Sequence, residues 1–341
     1  MKTATRVSTM AALVAVHILS GTVLAAPFAY IAGSASVQVI DLATNQVVGS
    51  PIPIVNNPRA VAVSADGLRA YIGRETAAFV SVLDTSTNTV IVDIPIPTGA
   101  GLRGVAVNAA RTRVYTTNQN LDSVSVIDAT TNTVIGAPIV VGDRPDGIAV
   151  HPDGTRVYVG NQGGASAASR TVTVIDATTN TVVTTIPMPA VPRGIVVRPD
   201  GARVYVAMQG ATGSVVFIDP ASNTVVGSPI ITGSNTIGLA INAAATRLYA
   251  GNFGGATVSV IDLGSNTVIA TPATGNQPFG ISVHPEGSRF YVICNASDRV
   301  DVFNASTNAL ITSVPVGSFP ISYGQFIVPG GSDAIFANGY E

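Results

Sequence analysis

The sequence predicts an all-β chain, a seven-bladed β-propeller with four antiparallel strands per blade, its ring closed by a C-terminal strand that joins the N-terminal three. Three observations carry this. A short strand-turn-strand element recurs seven times along the chain. Each repeat contains four strand signals. The two ends of the chain hold complementary parts of one further repeat.

The recurring element is written most clearly as Val124-Ser-Val-Ile-Asp128-Ala-Thr-Thr131-Asn132-Thr-Val134. Its Asp falls at Asp41, Asp84, Asp128, Asp176, Asp219 and Asp262, with Asn304 in that place at the end. An Asn follows four residues on in every copy: Asn45, Asn88, Asn132, Asn180, Asn223, Asn266 and Asn308. The Asp carboxylate can accept turn N–H groups, and Asn tolerates the left-handed backbone. One carboxylate per turn cannot converge on a single ion, so these acids are read as turn residues and not as metal ligands.

The four strands, A to D, are legible in the fourth repeat as Gly147–Val150, Arg156–Val159, Thr171–Ile175 and Thr181–Ile186. They are short, β-branched and bounded by Gly, Pro, Asn or Asp. The A-to-B turns carry Ala65-Asp-Gly67, Pro152-Asp-Gly154, Pro199-Asp-Gly201 and Pro285-Glu-Gly287, hairpin chemistry in which Gly supplies a positive φ. Prolines gather in and after the D strands (Pro51, Pro53, Pro95, Pro187, Pro229, Pro315), which places D at the outer edge of each blade. Small residues recur in the A strands (Ala62, Ala106, Ala149, Ala240, Ser282), as a crowded centre requires. The repeat opens at strand B, Phe28–Ile31, with no A strand before it, and after six full units an unclaimed A-like run, Ser322–Val328, remains. Three strands from the front and one from the back complete the ring.

Charged residues make up 11% of the 341, and the formal net charge is −2. That excludes the basic stripe of a nucleic-acid binder. The one cysteine, Cys294, excludes an internal disulfide and, within the strand-like run Phe290–Cys294, reads as a buried thiol. Residues 1–25 read as a secretory signal peptide: Lys2 and Arg6 precede an apolar stretch from Met10 to Leu24, and Val23-Leu24-Ala25 offers small residues for cleavage before Ala26. No later apolar run has membrane-spanning length, so an exported monomer is expected, periplasmic, cell-surface or extracellular. The domains are then the signal peptide at 1–25, the propeller at 26–329 and a tail at 330–341.

The residues Arg156-Val-Tyr-Val-Gly-Asn161, Val174-Ile-Asp176, Thr179-Asn-Thr-Val182, Pro192-Arg-Gly-Ile195 and Pro199-Asp-Gly201 resemble the YVTN family of β-propeller repeats. The family's Tyr-Val-Thr-Asn motif stands here as Tyr115-Thr-Thr-Asn118, and the resemblance covers roughly residues 28–328. It implies the propeller fold. Its relatives include archaeal surface-layer proteins, bacterial secreted and periplasmic proteins, and more distant lactonase-like and haem-bearing propellers. No catalytic residue of those enzymes can be placed here by motif. The end of the tail, Ile335-Phe-Ala-Asn-Gly-Tyr-Glu341, resembles short C-terminal sorting tags.

Catalytic and metal motifs are missing from the sequence: there is no Cys-x-x-Cys-His, His-Glu-x-x-His or Gly-x-Ser-x-Gly. No cofactor and no metal is expected. His151 and His284 share one repeat position, before the A–B turn, and read as turn residues. The A–B and C–D turns are uniform in length, whereas the B–C loops vary, up to the insertion at 160–170. Function in a rigid scaffold tends to sit on such loops. Two readings follow. One is a non-catalytic scaffold binding a protein, a glycan or a small ligand through the face that carries the B–C and D–A loops. The other is a lactonase-like or lyase-like enzyme at the channel mouth, drawing on Glu75, Asp122, Asp143, Asp146 and Asp298. The residues preceding each A strand's first Gly or Ala sharpen the first reading. They are Arg59, Arg103, Asp146, Arg193, Ile237, Phe279 and Ile321, one charged arc and one apolar arc. Three arginines against one aspartate predict a site for a small anionic ligand, with Arg59, Arg103, Asp146, Arg193 and Phe279 as its contacts.

Overall fold

A computed structural model describes residues 27–327, except residue 165. The signal segment, Val328 and the tail at 330–341 lie outside the described residues. Seven sheets surround one axis, and in each complete blade the strands lie in the order A-B-C-D from the axis outward. Blade two runs from Pro58–Val63 through Arg69–Arg74 and Phe79–Asp84 to Thr89–Pro95, and blades three to seven repeat this plan. In blade three the outer strand is split into Thr133–Val134 and Ile139–Val140, where Gly136 takes a φ of 64° ahead of Pro138.

Blade one holds three strands from the chain's start, Phe28–Ala32, Ser36–Asp41 and Gln46–Pro53. Its fourth is the closing run. Ile327 bridges Ala29 in antiparallel register, and Tyr30 N–H donates to Phe326 C=O at 2.8 Å. The same run pairs on its other side with the inner strand of blade two: Tyr323 N–H donates to Arg59 C=O (3.1 Å), and Tyr323 and Gln325 C=O accept from Val61 (3.2 Å) and Val63 (3.1 Å). The closing run thus ties two segments together, the first strand of blade one and the inner strand of blade two, instead of merely filling a gap.

Strands A, B and C all supply packing between blades. The tyrosine at the same position of every B strand (Tyr30, Tyr71, Tyr115, Tyr158, Tyr205, Tyr249, Tyr291) is buried. Two of these phenols reach the C–D turn of the next blade: Tyr30 donates to Asn88 Oδ1 (2.6 Å) and Tyr291 to Asn45 Oδ1 (3.1 Å). The asparagine closing the B strands of blades three, four and six faces strand C and donates to two hydroxyls there. Asn118, for example, bonds Ser123 and Ser125 at 3.0 and 2.9 Å. Those hydroxyls satisfy an amide donor that burial would otherwise strand. Blade seven puts Cys294 at this place. Burial first, then the Asp301 carboxylate at 3.4 Å, pushes its thiol up to about 12, which makes it a poor nucleophile.

The C–D turns behave as their residues require. All seven asparagines have φ between 53° and 59°. The Asp oxygens accept backbone N–H bonds two and three residues on; at Asp176 these are from Thr178 (2.8 Å) and Thr179 (2.9 Å). These bonds hold the Asp128 and Asp176 carboxyls below the ordinary carboxylate value. Asn304, in the seventh copy, makes the same two bonds with a neutral oxygen, to Ser306 (2.9 Å) and Thr307 (3.0 Å). A depressed carboxyl contributes stability above its unfolded pKa and loses it as pH falls through the folded value. Melting temperature is therefore expected to drop below about pH 4, and an Asp128→Asn/Asp176→Asn variant should show a shallower acid limb. Parallel curves for the two proteins would contradict this account.

Candidate binding site at the channel mouth

Where the A strands begin, neighbouring blades come together closely around the axis. A Cβ on Gly147 would lie 2.1 Å from Arg193 O, and one on Gly280 would lie 2.1 Å from Ser322 O. Only glycine permits that approach. The residue before each such glycine is carried to the rim of the channel on the face of the B–C and D–A loops.

Of the residues expected there, Arg59, Arg103, Asp146, Arg193 and Phe279 are brought together, and Ile237 packs against Phe279. Their charge balance differs from expectation. Glu75, first residue of the blade-two B–C loop, also enters the cluster: its Oε1 lies 2.6 Å from Arg103 Nη2 and its Oε2 3.3 Å from Arg59 Nη1. The arc is three arginines against two carboxylates, not against one. Asp146, with its side chain 3% exposed, pairs with Arg193 at 2.9 Å. Arg103 also donates to Gln119 (2.9 Å), and Arg193 to Gln209 (3.2 Å). Burial first, then the Arg59 charge, lowers the Arg103 pKa. At Arg193 burial opposes the charge, but Asp146 and then Tyr323 outweigh it and raise the pKa.

The seventh position needs a correction. Ile321 aligns by its distance from Pro320 and packs partly buried at the rim, but the side chain that fills the mouth is Tyr323. Between proline and glycine, the closing run reads Pro320-Ile-Ser-Tyr-Gly324 where blade seven reads Pro278-Phe-Gly280, two residues more. The extra length sends Tyr323 across the axis to Asp146 and Arg193, and a Cβ on Gly147 would lie 3.2 Å from its hydroxyl. Burial first, then the Asp146 charge, raises the Tyr323 pKa well above that of a free phenol. Its ring meets Phe279 edge-on at 5.5 Å, Phe279 meets Phe253 at 6.1 Å, and the Arg59 guanidinium lies over the Phe279 ring at 5.3 Å.

Tyr323 thus separates the arginine cluster from a cavity of about 280 Å³ on its far side. That cavity is lined by A-strand residues such as Val105, Ile148, Ile195 and Leu239, down to Pro152 at an A–B turn. Asp122 and Asp298 serve the loops: Asp122 accepts from Arg144 N–H (2.7 Å) and Asp298 from Phe319 N–H (2.8 Å). His151 and His284 sit at the A–B turns, where His151 Nε2 lies 3.0 Å from Gly201 O of the next blade. Among the described residues no group of three or more His, Cys, Asp or Glu is placed to hold a metal ion, and no helix is long and apolar enough to cross a membrane.

No family model matches the chain, and no curated protein matches it. Solved structures do. Hydrazine synthase from Kuenenia stuttgartiensis superposes with a TM-score of 0.71 at 23% identity, over 78% of this chain and 88% of that one. Dihydro-heme d1 dehydrogenase NirN in complex with DHE superposes with a TM-score of 0.62 at 15% identity, over 86% and 74%. The chain is a seven-bladed β-propeller. At these identities the likeness extends to the fold alone.

Proposed function

We propose that this propeller is an exported, non-catalytic binding module that takes a small organic anion at the channel mouth on its loop face. The observation that supports this is the charge balance of the rim. Arg59, Arg103 and Arg193 face only Glu75 and Asp146, beside the aromatic wall of Phe279. One positive charge is left over, in a partly buried setting where its field is less screened than on an open surface. Planar guanidinium groups suit a carboxylate or phosphate, and their open faces suit a flat arm. The lactonase-like or lyase-like alternative finds less support. Glu75 and Asp146 are each engaged by arginine, and both described histidines lie on the opposite face. Export follows from reading residues 1–25 as a signal peptide, and the repeat resembles families of secreted propellers.

The test is calorimetric titration of benzoate and related small acids into the wild type and an Arg59→Gln/Arg103→Gln variant. Arg193 is left in place because it neutralises the buried Asp146. The wild type should bind and the variant should lose at least about tenfold in affinity. No binding to the wild type, or equal binding to both, would overturn the proposal.

A further inference from the structure

Glu75 holds a position that a bound acid would hold. Its carboxylate lies between guanidinium groups from two blades, Arg59 of blade two and Arg103 of blade three, and its Oε2 accepts from Asn57 Nδ2 at 2.5 Å. The Arg59 group that it touches also stacks on Phe279. Two guanidinium forks and an aromatic face are the elements by which proteins hold organic acids. Here the chain supplies the acid itself. The Glu75 side chain is 17% exposed, so one side of it meets solvent, and it stands at the start of a short loop. That loop is held to the neighbouring D–A loop by backbone bonds from Glu75 N–H to Asn57 O (3.0 Å) and from Thr76 N–H to Asn56 O (3.4 Å), which do not involve the Glu75 side chain.

We propose that Glu75 is an internal stand-in for the ligand, and that the ligand is a carboxylate bearing a flat apolar group. The ligand's carboxylate replaces that of Glu75 between Arg59 and Arg103, and its flat group stacks on the outer side of the Arg59 guanidinium, whose inner side rests on the buried Phe279 ring. This rests on the anion-binding reading of the same mouth. Glu75 then sets the affinity: a ligand must displace a tethered competitor of its own charge, so weak and unspecific acids are kept out.

The experiment titrates benzoate, acetate and phenyl phosphate into the wild type and into Glu75→Gln and Glu75→Ala variants, with thermal melts of each protein alone. Glu75→Gln keeps the shape and removes the competing charge, and should bind benzoate about tenfold more tightly than the wild type. Glu75→Ala should be stabilised by added acetate, which refills the vacated place, while the wild type is not. Should either variant fold poorly, Glu75→Asp keeps the charge but shortens its reach, and should bind benzoate with an affinity between wild type and Glu75→Gln. Benzoate binding to the wild type with none of these gains in the variants would overturn this proposal and leave the anion site standing. Tighter binding of phenyl phosphate than of benzoate would overturn the carboxylate assignment. Absence of binding by every protein would overturn this proposal and the anion site together.

Discussion

A chain that stops at residue 320 is expected to lose its cooperative melt, whereas one that stops at residue 329 keeps it. The shorter chain lacks Tyr323, Phe326 and Ile327, which are 6%, 0% and 1% exposed in the ring. At roughly 1.5–3 kcal/mol for each fully buried large side chain, the loss is about 5–9 kcal/mol. The net stability of a folded domain is about 5–15 kcal/mol, so removal of this one run is comparable to the whole. The bonds from Tyr30 to Phe326, and those joining Tyr323 and Gln325 to blade two, go with it. Circular dichroism melts of the two truncations check this. Indistinguishable melting temperatures would show that the ring does not depend on its closing run.

The second large effect is expected at Arg193. Replacing it with Met leaves the Asp146 carboxylate, 3% exposed, without its counter-charge. Breaking a buried pair from one side costs about 3–5 kcal/mol, mostly through the stranded partner. For a protein of this size that is a fall of about 5–8 °C in melting temperature. The double replacement Asp146→Leu/Arg193→Met removes both charges and should recover most of the loss. Arg59→Met is the comparison. Its carboxylate partner, Glu75, is 17% exposed and keeps Arg103, so the cost should stay near 1 kcal/mol or below. A small effect at Arg193, or no recovery in the double variant, would mean that the pair does not hold the mouth together.

The fold was legible because each blade repeats its own local chemistry. The Asp and Asn of the C–D turns act within four residues, so their roles can be read without coordinates, and their backbone geometry agrees in all seven copies. Strand order followed from proline at the outer edge, and closure from the strand count at the two ends. The rim was legible in part, because repeat alignment brings the same position of each blade to the axis. Alignment fails where spacing changes, and the two additional residues before Gly324 are why it points to Ile321 and not to Tyr323. Glu75 was visible as a loop acid, but nothing in its own repeat indicates that it bridges to Arg103 of the next blade. Partnerships between loops of different blades depend on how far each loop leans over the axis. No periodicity encodes that.

The bridge from Ala29 to Ile327 joins residues 298 apart in sequence, which sets an order of events during synthesis. The first strand of the ring waits for its inner partner until the six blades between them have been made. Until then the inner edge of Phe28–Ala32 offers unpaired backbone groups to any passing strand. Contacts this distant pay a large chain entropy before they return any energy, so circularisation comes last. A nascent chain of this kind is best kept from pairing at that edge until the closing run has been made.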